Sequence, residues 1–287
     1  MSEPSPGRLL IFGLGYTGRA IGIAAAAAGF AVTATSRQPG HAGAPGVAVI
    51  PFDAAAEAVA AATHIVATAA PDEQGDPALA RYGAAIGVAP HLRWTGYLSS
   101  TGVYGDRGGA WVDETSAPAP TSRRARARRA AEAQWEAAAA ERGFALDLIR
   151  LAGIYGPGRS VLDDVRAGRG RRIDKPGHAF GRIYRDDIAG GTLAAMRTAT
   201  TGIRVLNFND DLPTEPAVVV EEAARLLGVA PPPLLPFAEA EAGMTAMGRS
   251  FWAESRRVRS QGTQTVLGYA WRFPTFREGL RAVLDEA

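Results

Sequence analysis

An α/β architecture built on a doubly wound parallel sheet is predicted from three observations. A short apolar run, Leu9 to Phe12, leads directly into the glycine-spaced hexapeptide GLGYTG at Gly13 to Gly18 and then into an alanine-rich stretch. Short apolar runs then alternate with helix-length segments as far as Phe208. The chain has 287 residues, 47% hydrophobic and 21% charged, so it carries enough apolar material for one large core, alone or with a smaller companion.

Each element follows from its local pattern. Leu9 to Phe12 is continuously apolar, as a parallel strand buried on both faces should be. Arg19 to Ala28 reads as a helix stopped by Gly29. The second strand runs from Phe30 to Thr35 and ends at Ser36-Arg37; the third, Val47 to Phe52, ends at Asp53 and gives way to a helix over Ala54 to Ala62. His64 to Ala69 is a fourth strand cut off by Pro71, followed by a helix from Ala78 to Ala89 and a fifth strand from Arg93 to Ser99. An arginine-rich helix, Ser122 to Arg142, precedes a sixth strand, Ala145 to Leu151, and the helix Asp187 to Arg197 precedes a seventh, Arg204 to Phe208. This regular alternation places helices on both faces of a parallel sheet.

Residues 1–155 are expected to form a Rossmann-type dinucleotide-binding core. Residues 156–287 are expected to be mixed, with core elements returning at about 183–208 and a smaller substrate lobe over the carboxyl ends of the strands. The lobe would draw on the glycine- and arginine-rich Gly156 to Gly181, the prolines from Pro231 to Pro236, and the tail from Pro213, which holds one further helix, Ala217 to Leu227.

Composition excludes several chemistries. With no cysteine, disulfides, thiolate catalysis and Cys-ligated metals fall away together, and His41, His64, His91 and His178 lack metal-ligand spacing. Net charge is +2, with no basic motif interleaved with aromatics, which argues against nucleic-acid binding. MSEPSPGR has no apolar signal core, and the longest apolar stretch, Ala20 to Val32, is too short for a span, so a cytoplasmic protein away from membranes is expected. Of 31 Lys and Arg residues only Lys175 is a lysine, so nearly all positive charge sits on groups that do not titrate near neutrality.

GLGYTG fits the dinucleotide fingerprint in its required setting, after a strand and before a helix. Gly13 permits the tight turn, Gly15 lets the backbone approach a pyrophosphate, and Gly18 lets helix and strand pack closely, with Tyr16 and Thr17 at the helix start. At the end of strand two, where a carboxylate would hold the ribose hydroxyls of NAD, the chain has Thr35-Ser36-Arg37. Ser36 and Arg37 therefore favour NADP(H) over NAD(H), unless Arg37 is merely solvated. Asp53 is placed to reach the adenine amine or to cap the following helix.

LSSTGVYG (Leu98 to Gly105), RLAGIYGPGR (Arg150 to Arg159) and IYRDDIAGG (Ile183 to Gly191) resemble, in order, segments of the extended short-chain dehydrogenase/reductases, the NAD-dependent epimerase/dehydratase family. The resemblance spans nearly the whole chain. It implies NAD(P)-dependent chemistry resting on a Ser/Thr, a Tyr and a Lys. Ser100 matches the Ser/Thr position, four residues before Tyr104. The Tyr-x-x-x-Lys pair should lie on the next helix; anchoring on Glu132 puts Arg124 at the tyrosine position and Arg128 at the lysine position. In any register the pair is missing, since no tyrosine occurs between Tyr104 and Tyr155 and no lysine before Lys175.

Arginine cannot replace the phenol, because it holds its proton at every working pH, but it can bind an oxyanion or carboxylate. Arg124 would then anchor an anionic substrate, Arg128 would touch the nicotinamide ribose, and Ser100 would polarise a carbonyl or hydroxyl. Tyr104 is a second proton-donor candidate, with Tyr155, Tyr184, Asp106 and Asp186 behind it. The arginine run from Arg123 to Arg129 reads either as a solvated helix face or as a pocket for a negative ligand. Two functions from different classes follow: an NAD(P)-binding oxidoreductase or epimerase-like enzyme with a non-standard site and a small anionic substrate, or a non-catalytic NAD(P)-binding sensor or regulator. Oligomeric state stays open.

Overall fold

A computed structural model describes residues 7–38, 43–72 and 74–286. Seven strands form one parallel sheet: β1 (Arg8–Phe12), β2 (Ala31–Ser36), β3 (Val47–Pro51), β4 (His64–Ala67), β5 (Trp94–Ser100), β6 (Ala145–Leu151) and β7 (Ile203–Phe208). Their order across the sheet is β7-β6-β5-β4-β1-β2-β3. The register is continuous through the centre: Leu10 faces Thr33 on one side and Ile65 on the other, Ile65 faces Thr95, Tyr97 faces Leu148 and Leu148 faces Val205. All seven strands lie where the apolar runs predict them, and the architecture is the expected doubly wound one.

Alternating side chains build two cores. Leu9, Ile11, Val66, Leu98 and Ile149 pack under α1 (Tyr16–Ala27), together with Ile188 and Ala195, while Leu10, Phe12, Ile65, Tyr97 and Leu148 pack on the other face with Val59, Tyr82, Ile86 and Trp135. Val59 belongs to α2 (Ala56–Ala61), Tyr82 and Ile86 to α3 (Pro77–Gly87), and Trp135 to α4 (Arg123–Arg142). Leu9 to Phe12 are at most 1% exposed, which is why β1 shows no polar alternation. Helix α1 begins three residues earlier than its apolar pattern suggests, because Gly15 takes an extended conformation and serves as its N-cap.

The remaining segments are stitched back by short parallel pairs. Gly153–Tyr155 pairs with Arg182–Tyr184, Arg172–Asp174 with Leu234–Pro236, and Trp111–Val112 with Arg257–Val258. Helices α5 (Val161–Arg166) and α7 (Pro216–Leu227) pack together beside the helix Phe276–Asp285. Helix α6 (Arg185–Arg197) returns to the sheet face beside α1. Its Asp187, fully buried, explains the Asp-Asp motif: one carboxylate oxygen accepts from the Arg272 amide at 2.7 Å and the Tyr269 hydroxyl at 3.2 Å, and the other from the Phe273 amide at 2.9 Å. The carboxylate thereby ties the tail to the start of α6. Among the described residues no helix is long and apolar enough to cross a membrane, and no group of three His, Cys, Asp or Glu could hold a metal ion.

Candidate functional site

The strand order reverses between β1 and β4, which opens a crevice at their carboxyl ends. The glycine turn lies there, clamped from both sides. The Gly13 amide donates to Thr35 Oγ1 of β2 at 3.2 Å, and the Thr68 hydroxyl, just past β4, lies 2.8 Å from the Gly13 carbonyl. Gly13 has φ +108°, a conformation that side chains disfavour. A Cβ on Gly18 would lie 2.1 Å from the Gly13 carbonyl oxygen, so only glycine lets α1 close over the turn. A Cβ on Gly15 would meet nothing within 4 Å. That glycine leaves open space in front of the α1 N-terminus, whose amides lack helical partners and attract phosphate. Steric need at Gly13 and Gly18, combined with vacancy at Gly15, suits a dinucleotide.

Tyr16 stands beside this opening with its hydroxyl 3.1 Å from the Pro157 carbonyl, and the Arg159 and Arg185 guanidiniums lie 5.7 and 5.5 Å from its ring. Thr17 is buried behind it. At the end of β2, Ser36 Oγ accepts from the Gln38 amide at 3.1 Å and Arg37 extends into solvent. Asp53 does not cap α2, whose N-cap is Ala55; it sits exposed on the preceding turn, 3.7 Å from Arg81 Nε.

Ser100 ends β5. Its Oγ accepts from the Gly102 amide at 3.1 Å, which leaves its own proton to donate. Tyr104 is placed elsewhere than the sequence pattern suggests. It is fully buried beside Val112 and Val258, its hydroxyl donates to Asn207 Oδ1 at 2.8 Å, and the Arg150 guanidinium lies 4.7 Å from its ring. A phenol so enclosed has no route to a substrate, and burial raises its pKa further above the ordinary value. Two other tyrosine candidates are also packed away: Tyr184 is fully buried and Tyr155 is 8% exposed, and burial raises both pKa values.

Helix α4 opens with its N-cap Ser122 accepting from the Ala125 amide. Several of its arginines are engaged. Arg126 donates to the Thr121 carbonyl, and Arg129 pairs with Glu136 at 3.0 Å. Arg128 Nη1 donates to the Leu98 carbonyl at 2.8 Å and the Tyr97 hydroxyl at 3.2 Å, and lies 3.4 Å from the Ala69 carbonyl. It thus pins α4 across the ends of β4 and β5. Arg124 is exposed on the first turn. Glu132, the alignment anchor, is fully buried and grips Arg150 of β6 through two bonds of 3.0 and 2.9 Å.

Two residues escaped the sequence reading. Tyr97 meets Arg128, but alternation along β5 buries its ring against Trp135, and burial pushes its pKa up to about 12. Arg256 comes from the far end of the chain, and its Nη2 lies 3.7 Å from where a Cβ on Gly102 would stand, next to Ser100 Oγ at 3.3 Å. Its segment, Glu254 to Arg257, resembles the family's usual tail but carries no sign of a site; the pairing of Trp111–Val112 with Arg257–Val258 and the bonds of Ser255 to Asp106, Arg107 and Gly109 bring it there.

No protein-family model matches the chain. It is 40% identical to a functionally unknown conserved protein from Silicibacter pomeroyi, with 98% of this chain and 99% of that one covered and a TM-score of 0.87. At 21% identity, over 97% of this chain and 98% of the other, it superposes with a TM-score of 0.80 on MoeE5 in complex with UDP-glucuronic acid and NAD. A Streptomyces protein, 3-diazoavenalumate denitrifying reductase, is 28% identical over 139 residues, 46% of this chain. That match spans 45% of the curated relative's length, less than half. The fold is that of the extended short-chain dehydrogenase/reductases, the NAD-dependent epimerase/dehydratase group. The chain belongs to one family with the Silicibacter protein.

Proposed function

We propose that this chain is an NADP(H)-dependent oxidoreductase or epimerase-type enzyme with a non-standard reaction centre, acting on a small anionic substrate. The observation that carries the reading is the clamped glycine turn, open in front of Gly15, with Ser100 at the carboxyl end of β5, one strand beyond β4. The bound nicotinamide would supply or accept hydride. The chain's own residues do the rest. The amides at the start of α1 receive the diphosphate, Arg37 with Ser36 receives the 2′-phosphate, and Asp53 stands toward the adenine. Ser100 donates a hydrogen bond to the substrate oxygen. Arg128 keeps α4 seated on the strand ends and offers its remaining N–H groups to the nicotinamide ribose. Since the enclosed tyrosines hold their protons inside the fold, the proton that accompanies hydride comes from water or from the substrate itself.

Similarity to a reductase, and to a protein holding UDP-glucuronic acid and NAD, supports redox chemistry on an acidic substrate. The loss of the Tyr/Lys pair favours a second reading, a redox sensor that binds the dinucleotide without turning it over. Calorimetric titration with NADP(H) and NAD(H) tests the common premise: NADP(H) should bind more tightly, and failure of both at millimolar concentration defeats either reading. NADPH oxidation with a panel of carbonyl acids then separates them, because a sensor turns over none.

A further inference from the structure

Around Ser100 the chain gathers positive charge that the sheet itself does not supply. The loop after β5 and the segment Glu254 to Arg257 contribute three guanidiniums, Arg107, Arg256 and Arg257, against two carboxylates, Asp106 and Glu254. Each guanidinium is held by a backbone carbonyl: Arg107 by those of Tyr104 and Ala117, Arg256 by that of Gly105, and Arg257 by that of Gly109. The Asp106 carboxylate is spent on the Ser255 and Gly108 amides, at 2.8 and 3.1 Å.

Arg256 is the member that reaches the reaction centre. Its Nη1 donates to the Gly105 carbonyl at 2.9 Å and to Glu254 Oε2 at 2.7 Å, and the other oxygen of Glu254 accepts from the Thr121 hydroxyl. Among the described residues nothing bonds to Nη2. That nitrogen and Ser100 Oγ both lie within 4 Å of where a Cβ on Gly102 would stand, at 3.7 and 3.3 Å. The Arg256 side chain is only 18% exposed, so its charge is poorly screened by water.

We propose that Arg256 forms a carboxylate-binding subsite next to Ser100, with the missing side chain of Gly102 leaving room for the ligand beside them. This rests on the functional reading above and deepens it, since it assigns the anionic part of the substrate to a residue of the C-terminal segment. The carboxylate accepts from Arg256 Nη2, the Ser100 hydroxyl stays free for the reacting oxygen beside it, and Glu254 holds the guanidinium in place as a positioning residue.

Calorimetry on the full chain, alone and saturated with NADP+, tests this with benzoate and pyruvate as probes and benzamide as the uncharged control. At least one carboxylate should bind in the millimolar range, and benzamide at least tenfold more weakly. Arg256→Gln should weaken carboxylate binding tenfold or more, and Arg225→Gln, on a remote exposed face of α7, should leave it unchanged. Because Arg256 also holds the Gly105 carbonyl, Gly102→Ala provides a second arm. Its backbone lies outside the glycine-only region and its added methyl fills the gap without removing a charge. It should retain the wild-type melting temperature within a few degrees and lose carboxylate binding. The proposal is overturned if neither carboxylate binds, if benzamide binds equally well, or if Gly102→Ala binds the carboxylate like wild type. Loss of dinucleotide binding alone, with carboxylate binding intact, would defeat the cofactor reading and leave this one standing.

Discussion

Glu132 and Arg150 show how a residue-level pattern acquires its meaning. At the alignment level Glu132 marks register; in the fold it is a fully buried carboxylate that fastens α4 to β6 through a two-bond pair. Removing one partner strands the other charge away from water. Glu132→Ala should therefore cost about 3–5 kcal/mol of folding stability, read from urea unfolding. A loss below about 1 kcal/mol would mean that the pair is relaxed by solvent. Arg37 is the opposite case, exposed just past the end of β2. Arg37→Asp should leave the melting temperature within about 2 °C while weakening NADP(H) tenfold or more and sparing NAD(H), because it sets a carboxylate where a 2′-phosphate would sit. Equal affinities for both nucleotides before and after the change would remove Arg37 from the site.

At the level of elements, the glycine turn separates the needs of the fold from the needs of the ligand. Gly15→Ala adds a methyl to open space and should fold normally, yet it should bind the dinucleotide at least tenfold more weakly. Gly18→Ala drives a methyl into the Gly13 carbonyl and should lower both stability and binding. Melting curves beside calorimetry distinguish the two, and a destabilised Gly15→Ala protein would contradict the geometry. This element was legible because its signal is local: apolar run, spaced glycines, alanine helix. Strands β1 to β7 were legible for the same reason, being short apolar runs bounded by breakers. Tyr104 belongs to a segment whose resemblance makes it a proton-donor candidate, whereas the turn Thr101–Tyr104 after Ser100 rotates the phenol inward to Asn207. Arg256 sits in a tail segment that resembles the family's, but its place beside Ser100 is not legible, because it depends on contacts that join residues far apart in sequence.

On the scale of the whole molecule, stability should respond to pH through two buried groups that act in opposite senses. His64, at the start of β4 between Phe30 and Trp94, has its pKa pushed down to about 4 by burial and then by the charge of Arg93. Its folded value lies below its unfolded value of 6.5, so the unfolded chain takes up the proton first. Stability from this group is therefore complete above pH 6.5 and is lost as pH falls toward 4, by up to about 1.4 kcal/mol per pH unit. Asp210 is raised by burial to about 8, so it contributes most below its unfolded value and loses that contribution as pH rises through 8. The two slopes offset each other between pH 4 and 6.5 in the wild type. Denaturation of His64→Gln should accordingly reveal a protein whose stability, relative to wild type, improves as the medium is acidified. A pH-independent difference between the two would show that His64 is hydrated.

The pairing of Trp111–Val112 with Arg257–Val258 has a consequence for biosynthesis. Six of the seven sheet strands and the whole glycine turn precede residue 152, while the guanidinium beside Ser100 belongs to residue 256. A ribosome therefore releases the glycine turn more than a hundred codons before Arg256 arrives beside Ser100, so, on the proposed reading, the half that would dock a nucleotide would emerge well before the group that would grip an acid.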